Sequence, residues 1–321
     1  MYNKSVFAEY SKGAIVTMKK CLVCLLCMLV CFCSVAEAGT LRPLPIDLSG
    51  GAKPGATFKK NVTVYEDPTI RVERFHVIQS KWVTSFSYAI ITIKDPSQLR
   101  TAPADGSSFT SNVRVPVQVI AKRVNAVLAI NGDFCTAFSG NKKDNYVLRQ
   151  GTIYQDTVEP SLDMLLIDED GDFHILTRDE NLAEANLTEI DGKKIINAFQ
   201  FGPALVIDGE PVSDEELLDK THSPTNSRPQ GNEQRMCIAQ IGPLQYLVLS
   251  TIRSHLVKMR DLVMSLADVK TAYILDGGES SQMVFLGTLV NKSTSKPRPI
   301  TDIIYFASAW FEDDDETAGE Q

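Results

Sequence analysis

Two segments of the sequence share one order of residue types, and this repetition constrains the fold more than any other feature. Residues 115–134 place apolar residues at helical spacing before a short apolar strand that ends in NGD at 131–133. Residues 256–280 show the same order and end in DGGE at 276–279. Because glycine permits positive φ and close approach, each strand delivers a polar side chain at an open corner. We therefore predict two helix-strand-turn units whose ends converge on one pocket.

The rest of the chain favours an α+β fold, a mixed α/β arrangement in one domain with a β-sheet core and a few packed helices. Strand-like alternation occurs in VTSFSYAIITI at 83–93, and DMLLIDEDGDFHIL at 163–176 is typical of a hairpin. The DEDGD letters lack the glycine position and the final glutamate of a calcium loop, so we predict a turn. With 321 residues, 44% of them hydrophobic, the chain is long enough for a large core.

The charge balance is acidic, with 32 Lys+Arg against 40 Asp+Glu and a net charge of -8. A protein that binds a phosphate backbone normally presents a basic face, so nucleic acid is excluded as an expected partner. The four histidines are scattered along the chain and no Cys/His spacing of a metal site occurs. Any metal ligands therefore stay unknown at this level.

The first 38 residues have the order of a targeting segment. Two lysines at 19–20 precede an uncharged run at 21–36, and AEA at 36–38 has the form of a cleavage site. A helix of about 16 apolar residues spans roughly 24 Å, which is short of the ~30 Å hydrocarbon core. We expect either a cleaved signal peptide or an uncleaved membrane anchor. Both place the rest of the chain outside the cytoplasm, in a secreted or cell-envelope location.

The remaining sequence divides into three parts. Residues 39–69 begin with a Gly/Pro-rich stretch without apolar periodicity and are predicted to be a linker and N-terminal extension. The predicted domain covers residues 70–308, and an acidic tail follows at 309–321. The domain contains two cysteines, Cys135 and Cys237. In an exported protein these form a disulfide or remain two unrelated thiols, and both alternatives are open.

Five blocks of the sequence, in order, resemble the phosphodiester glycosidase family. They are AINGDF at 129–134, FGPALVIDGE at 201–210, NEQRMCIAQIGPLQYLVLSTIR at 232–253, LDGGESSQMVFLG at 275–287 and PITDIIYFA at 299–307. This family includes the enzyme that removes N-acetylglucosamine from an α-GlcNAc-1-phosphodiester, and bacterial proteins associated with exopolysaccharide. The five linked blocks identify the resemblance, whereas DGG alone would be a weak signal.

The resemblance implies a hydrolase that cleaves the glycosidic bond of a sugar-1-phosphodiester, of the α-GlcNAc-1-phosphate type, on an extracellular or cell-envelope glycan. The implied substrate-binding residues are Asn131, Gly202 with Pro203, Arg235, Arg253, Gly277, Gly278, Ser280 and Ser281. The implied catalytic carboxylate is Asp276, with Asp133 and Glu279 as competing candidates for a partner carboxylate. No cofactor is certain from the pattern, and a divalent cation is an open alternative. The expected partner is a sugar phosphodiester or a phosphate-containing polysaccharide.

The chemistry of this substrate class accounts for these residue types. An oxocarbenium-like sugar needs a nearby carboxylate, so Asp276 is the candidate nucleophile or base. The planar fork of arginine suits phosphate oxygens, which makes Arg235 and Arg253 a candidate clamp. Glu279 stands where the family has a third glycine. That departure favours the alternative function, a non-catalytic envelope glycan-binding or exopolysaccharide-biosynthesis accessory domain.

Overall fold

The structure of the chain is a computed structural model, and it describes most of the sequence after the targeting segment. The described residues are 40–55, 59–60, 63–78, 85–132, 145–178, 182–219, 231–291 and 296–311. Residues Leu41–Trp310 form one compact unit. The predicted signal segment 1–38 lies outside the described residues, as do residues 312–321 of the predicted tail.

The described residues form 22 strands, most of them short. In chain order the first eleven are β1 Leu41–Arg42, β2 Lys59–Lys60, β3 Val64–Glu66, β4 Ile70–Ile78, β5 Ser85–Ile93, β6 Leu99–Pro103, β7 Ala126–Asn131, β8 Val147–Arg149, β9 Thr152–Gln155, β10 Met164–Asp168 and β11 Phe173–Leu176. The others are β12 Glu189–Ile190, β13 Lys193–Gln200, β14 Ala204–Ile207, β15 Glu210–Pro211, β16 Glu233–Gly242, β17 Gln245–Ser254, β18 Thr271–Leu275, β19 Met283–Phe285, β20 Thr288–Leu289, β21 Asp302–Ala307 and β22 Trp310–Phe311.

Three α-helices accompany these strands in the described part of the chain. They are α1 Val117–Arg123, α2 Asp214–Leu218 and α3 Leu256–Leu266. In α3 the buried residues Leu256, Met259 and Val263 follow helical spacing, so one face of the helix packs against the sheet. Within the described ranges, every helix is too short or too polar to cross a membrane. The fold is therefore mostly β with few helices, which confirms the single domain with a β-sheet core.

Besides the two-stranded pairing of β1 with β22, three larger sheets organise the described residues. The largest has nine strands in the order β15-β14-β18-β16-β17-β5-β4-β3-β2. A five-stranded sheet has the order β20-β19-β7-β21-β6, and a third sheet has the order β11-β10-β13-β8-β9 with β12 beside β13. Side chains from all three, such as Ile238, Ile304 and Phe199, meet in the main hydrophobic core. This shared core is consistent with one domain rather than several.

The two predicted helix-strand units lie in different sheets. The first runs from α1 into β7 of the five-stranded sheet, and the second runs from α3 into β18 of the nine-stranded sheet. All residues of β7 and β18 are buried, as continuous apolar runs predict. The strand ends nevertheless meet, because Asn131 Nδ2 donates a hydrogen bond of 2.8 Å to the backbone oxygen of Asp276. A contact between sheets thus joins the two glycine corners.

Residues 41–55, which lie in the part of the chain predicted as linker and N-terminal extension, belong to the compact unit. Leu44 and Ala52 are buried. Arg100, which is fully buried, donates hydrogen bonds of 2.8–3.1 Å to the backbone oxygens of Pro45, Asp47 and Ser49. These carbonyls belong to irregular backbone, so apolar periodicity could not reveal the anchoring.

The DEDGD letters form the turn of the β10–β11 hairpin, which confirms the prediction of a turn. Asp168 Oδ1 accepts hydrogen bonds of 2.9 Å from the backbone nitrogens of Asp170 and Asp172, and Gly171 has φ +81°. Lys193 Nζ lies 2.9 Å from the Asp170 carboxylate and 3.5 Å from that of Asp172. Lys193 therefore offsets part of the negative charge of this turn. No His, Cys, Asp and Glu side chains of the described ranges are grouped so that they could hold a metal ion.

Candidate active site

The candidate site lies at the C-terminal end of β18, where two glycines lead the chain away from the sheet. Gly277 approaches β16 so closely that a Cβ on this residue would lie 2.6 Å from the backbone oxygen of Gln234. Gly278 has φ +59°, and no described atom lies within 4 Å of the position that its Cβ would take. The first glycine therefore permits close packing, and the second permits the turn while leaving space beside Asp276.

The carboxylate of Asp276 is held by an arginine from a distant segment. Arg298 Nη2 lies 3.2 Å from Asp276 Oδ2, and Arg298 Nε donates a hydrogen bond of 2.9 Å to Ser280 Oγ. The side chains are 17% exposed for Asp276 and 30% exposed for Arg298, while Ser280 is buried. The pair is thus oriented by the protein and still open to a ligand from solvent.

Asn131 joins the end of β7 to this corner. Its Nδ2 donates to the backbone oxygens of Asp276 and Gly132, and its Oδ1 accepts a hydrogen bond of 3.2 Å from the backbone nitrogen of Gln282. Asn131 is 1% exposed, so its side chain makes these contacts from within the protein. Asn131 therefore fixes the backbone on both sides of the DGGES turn.

Ser281 belongs to a buried polar network beneath the corner. Its hydroxyl lies 3.0 Å from Ser250 Oγ and donates to the backbone oxygen of Arg235 at 3.2 Å. Asn291 Nδ2 donates to Ser250 Oγ and to the backbone oxygen of Ser281, both at 2.9 Å. The network ties the corner to β16 and β17, so Ser281 supports the corner from below.

The two arginines predicted as a phosphate clamp have different surroundings. The Arg235 guanidinium donates to the backbone oxygens of Ser254 at 3.2 Å and Gly231 at 3.1 Å. Burial lowers the pKa of the Arg235 guanidinium, and the nearby charge of Glu233 opposes this shift. Arg253 near the end of β17 is exposed. The Arg235 guanidinium thus donates to backbone oxygens, and the guanidinium of Arg298 contacts Asp276.

The remaining predicted residues lie around the corner with other contacts. A Cβ on Gly202, whose φ is +71°, would lie 3.3 Å from Asp163 Cβ, and the backbone oxygen of Pro203 accepts from Ile274 N at 3.2 Å. These residues therefore support β18 from the β14 side. The Glu279 side chain is exposed, and its backbone oxygen accepts a hydrogen bond of 3.0 Å from Arg298 N.

Asp133 and Cys135 lie outside the described residues. Cys237 is a free, fully buried thiol in β16, whereas Cys135, its partner in the open alternative of a disulfide, lies outside the described residues. Burial raises the pKa of the Cys237 thiol to about 12. The position follows from the sheet, because Cys237 lies opposite Leu249 and Ile274 in the apolar core.

Arg298 is the main residue that the sequence analysis did not identify, and the buried Gln282 and Gln234 are two more. Gln282 Nε2 donates to the backbone oxygen of Arg298 at 2.7 Å, and Gln234 Nε2 donates to that of Ser281 at 3.0 Å. The sequence signal that could have identified Arg298 is its position between two prolines, the second of which begins the PITDIIYFA block. Proline on both sides restricts the backbone and favours a fixed arginine.

The arrangement combines a carboxylate and a guanidinium at one open corner. A carboxylate can contact a carbon that develops positive charge, and a guanidinium can donate two hydrogen bonds to an anionic oxygen group. The Asp276–Arg298 pair therefore suits a ligand in which the carbon that develops positive charge is bonded directly to an anionic oxygen group.

Comparison with solved structures places the fold in a known class. The catalytic domain of zebrafish N-acetylglucosamine-1-phosphodiester alpha-N-acetylglucosaminidase, described as auto-inhibited by its pro-peptide, is similar with a TM-score of 0.58 at 18% identity. The match covers 80% of this chain and 87% of that domain. A hypothetical protein from Synechocystis has a TM-score of 0.48 at 15% identity, over 74% of this chain and 62% of that one. At these identities the likeness concerns the fold alone.

The family follows from the sequence of the domain itself. Residues 124–307 match the sequence model of the family described as phosphodiester glycosidase, which is more than half of the 321 residues. The chain therefore belongs to the phosphodiester glycosidase family, and the resemblance seen in the motif blocks is confirmed. No curated protein sequence matches the chain significantly.

Proposed function

We propose that the chain is a hydrolase that cleaves the glycosidic bond of a sugar-1-phosphodiester, of the α-GlcNAc-1-phosphate type, on an extracellular or cell-envelope glycan. Family membership supports a glycosidase, and the name of the zebrafish relative supports the phosphodiester substrate. The observation that carries the proposal is the pair of Asp276 and Arg298 at the open end of β18. In this proposal Asp276 acts on the sugar and Arg298 acts on the phosphate.

In this mechanism Asp276 faces the anomeric carbon as a nucleophile or as a base toward water. The bond between this carbon and the phosphate oxygen breaks, the phosphate departs with the bonding electrons, and water finally supplies the new hydroxyl of the sugar. A phosphate leaves as a stable anion, so it needs less protonation than an alcohol. The guanidinium of Arg298 stabilises the charge that builds on it.

The other residues have supporting roles in the proposal. Asn131 fixes the backbone at the corner, while Gly278 leaves room for the sugar ring. Asp133 and Glu279 remain the candidates for a second carboxylate. The exposed Arg253 is a further contact for the phosphate or for the group beyond it, and Arg235 supports the strand ends that carry these residues.

The test is the release of free N-acetylglucosamine from UDP-linked or chromogenic α-GlcNAc phosphodiester by the purified chain. We expect the wild type to release sugar, Asp276→Asn to lose this activity, and the exposed control Glu210→Gln to keep it. A wild-type chain that binds the glycan but releases no sugar would replace the proposal by the non-catalytic alternative. Equal activity in Asp276→Asn would remove Asp276 from the mechanism.

A further inference from the structure

A cavity of about 300 Å³ lies apart from the candidate active site and shares no lining residue with it. Its walls come from the N-terminal segment at 43–46, from residues 95–100, from Gln150, from the end of β10 with the turn after it, and from the middle of β13. The volume lies at the lower end of the range of small-molecule sites, about 300–1,000 Å³. The cavity can therefore take a ligand about as large as one sugar ring.

The cavity wall contains a buried amide that lacks a hydrogen-bond acceptor. Asn197 is 1% exposed, and its Oδ1 accepts from Thr101 Oγ1 at 3.0 Å and from Gln150 N at 3.1 Å. Its Nδ2 donates to no residue within the described ranges. Rotating the amide would place Nδ2 against the N–H of Gln150, so this orientation is determined. A donor at this depth without an acceptor is costly unless a ligand or water supplies one.

Gln150 adds an acceptor without a donor beside it. Its Nε2 donates to the backbone oxygen of Asp47 at 3.1 Å, whereas its buried Oε1 has no partner among the described residues. Rotation of this amide would turn an oxygen toward the Asp47 carbonyl, which is unfavourable. Gln150 Oε1 itself is fully buried and out of contact with solvent, so the unused group that the cavity wall offers to a ligand is the Asn197 Nδ2 donor.

The rest of the lining selects against anions and against purely apolar ligands. The acidic residues Asp95, Glu169 and Asp170 line the cavity, and their net negative charge, which Lys193 offsets only in part, disfavours a phosphate. The guanidinium of Arg100 is also in the wall, but it donates to the carbonyls at 45–49. Ile46 and Pro96 supply apolar surface. Hydroxyl groups that donate and accept, combined with apolar C–H faces, are the features of a neutral sugar.

We propose that this cavity binds one neutral sugar unit, with a ring hydroxyl contacting Asn197 Nδ2 and other hydroxyls donating to the carboxylates. The proposal does not depend on the proposed hydrolase activity, because it concerns a separate site and is measured by binding. In a chain that acts on glycans, such a site would hold a neutral part of the polymer while the corner at Asp276 contacts the phosphodiester.

The experiment is isothermal titration of the full chain carrying Asp276→Asn, so that turnover does not contribute. The probes are the methyl glycosides of glucose, galactose and N-acetylglucosamine, with glucose 1-phosphate as the anionic counterpart. Ile46→Trp fills the cavity from its mouth, because Ile46 lines the cavity and is 50% exposed. The matched control is Ile153→Trp, since Ile153 is 44% exposed and is not part of the lining.

We expect saturable binding of at least one neutral glycoside, weakened about tenfold or more by Ile46→Trp and unchanged by Ile153→Trp. Asn197→Asp keeps the acceptor for Thr101 and Gln150 but removes the unused donor, so it should weaken binding comparably. Thermal melting confirms that each variant is folded. The proposal is overturned if no neutral glycoside binds, which leaves a water-filled cavity, or if binding survives in both Ile46→Trp and Asn197→Asp.

Discussion

Two arginine–aspartate pairs use the same chemistry in different surroundings. Arg149 and Asp302 are 0% and 1% exposed, and their closest atoms, Nε and Oδ2, are 3.4 Å apart. Arg298 and Asp276 are 30% and 17% exposed at 3.2 Å. The Arg149 guanidinium also lies 3.9 Å from the centre of the Phe199 ring, which shields it from solvent. The distances are similar, so exposure is the main difference.

The buried pair supports the strand end on which the exposed pair depends. The backbone nitrogen of Gly132 donates to the backbone oxygen of Asp302 at 3.1 Å, and the Asp302 carboxylate occupies the space where a side chain at 132 would begin. Asn131, the neighbour of Gly132, in turn holds the backbone of Asp276. A desolvated pair cannot reach a ligand, and breaking it leaves an uncompensated buried charge, whereas a partly solvated pair contributes little stability and can react.

The largest expected effect concerns Asp276→Asn, which removes the charge of the exposed pair and keeps its shape. We expect kcat to fall on the order of a thousandfold or more, as for removal of a catalytic carboxylate, with almost no change in the free energy of unfolding. Sugar-release kinetics and chemical denaturation measure the two quantities. If the variant instead loses stability and keeps its turnover, the exposed pair has a structural role like that of the buried pair.

The next effect should come from Asp302→Ala, which breaks the buried pair. Loss of one partner from a buried ion pair costs about 3–5 kcal/mol, because the other charge keeps its desolvation penalty. Chemical denaturation should show this loss in the free energy of unfolding. An unfolding free energy within about 1 kcal/mol of the wild type would mean that the Arg149–Asp302 pair contributes little to stability.

A milder comparison replaces each arginine by lysine. Arg298→Lys keeps the charge but loses the fork that reaches Asp276 and Ser280, so we expect kcat/KM to fall by about tenfold to a hundredfold, the value of roughly 1.4–2.8 kcal/mol. Arg149→Lys should mainly lower the melting temperature. Wild-type kcat/KM in Arg298→Lys would contradict a role of its guanidinium in the transition state.

The smallest expected effect is the response of the two pairs to salt. Double-mutant cycles should give the exposed pair a coupling energy of about 0.2–1 kcal/mol in stability, which decreases as the salt concentration rises. The coupling energy of the buried pair should change much less, because salt does not screen charges that are out of water. Denaturation at 0.05 M and at about 0.5 M salt would provide the comparison. Equal salt dependence of both pairs would contradict their assignment to different environments.

Part of the candidate site was visible in the sequence because it is local. Asn131 and Asp276 each follow an apolar strand and precede glycine, and the structure joins them by a hydrogen bond. A continuous apolar run of five or six residues predicts a buried strand, and glycine after it predicts a corner. The β-sheet core and the turn at 168–172 could be predicted for the same reason.

Other features depend on contacts that no local pattern encodes. A register shift between Glu233 and Arg235 in the β16–β17 pairing sets the position of Arg235, whose guanidinium contacts backbone oxygens. Irregular backbone around residue 298 directs another guanidinium to Asp276. The sequence showed arginines near the blocks but not which of them would reach the carboxylate, because a shift of one residue reverses the face of a strand.

By itself the sequence determined the family, the single domain with a β-sheet core, and the two polar strand ends, since these follow from motif order and from the spacing of apolar residues; that the α+β fold expected is mostly β was shown by the structure. The tertiary structure alone decided that Arg298 pairs with Asp276, that Arg149 and Asp302 are buried beneath Gly132, and that Asn197 lines a separate cavity. Exposure and partner choice are set by how three sheets pack together. Residues far apart in the chain meet where the sheets pack, so their environments cannot be predicted from the residues adjacent to each of them in the sequence.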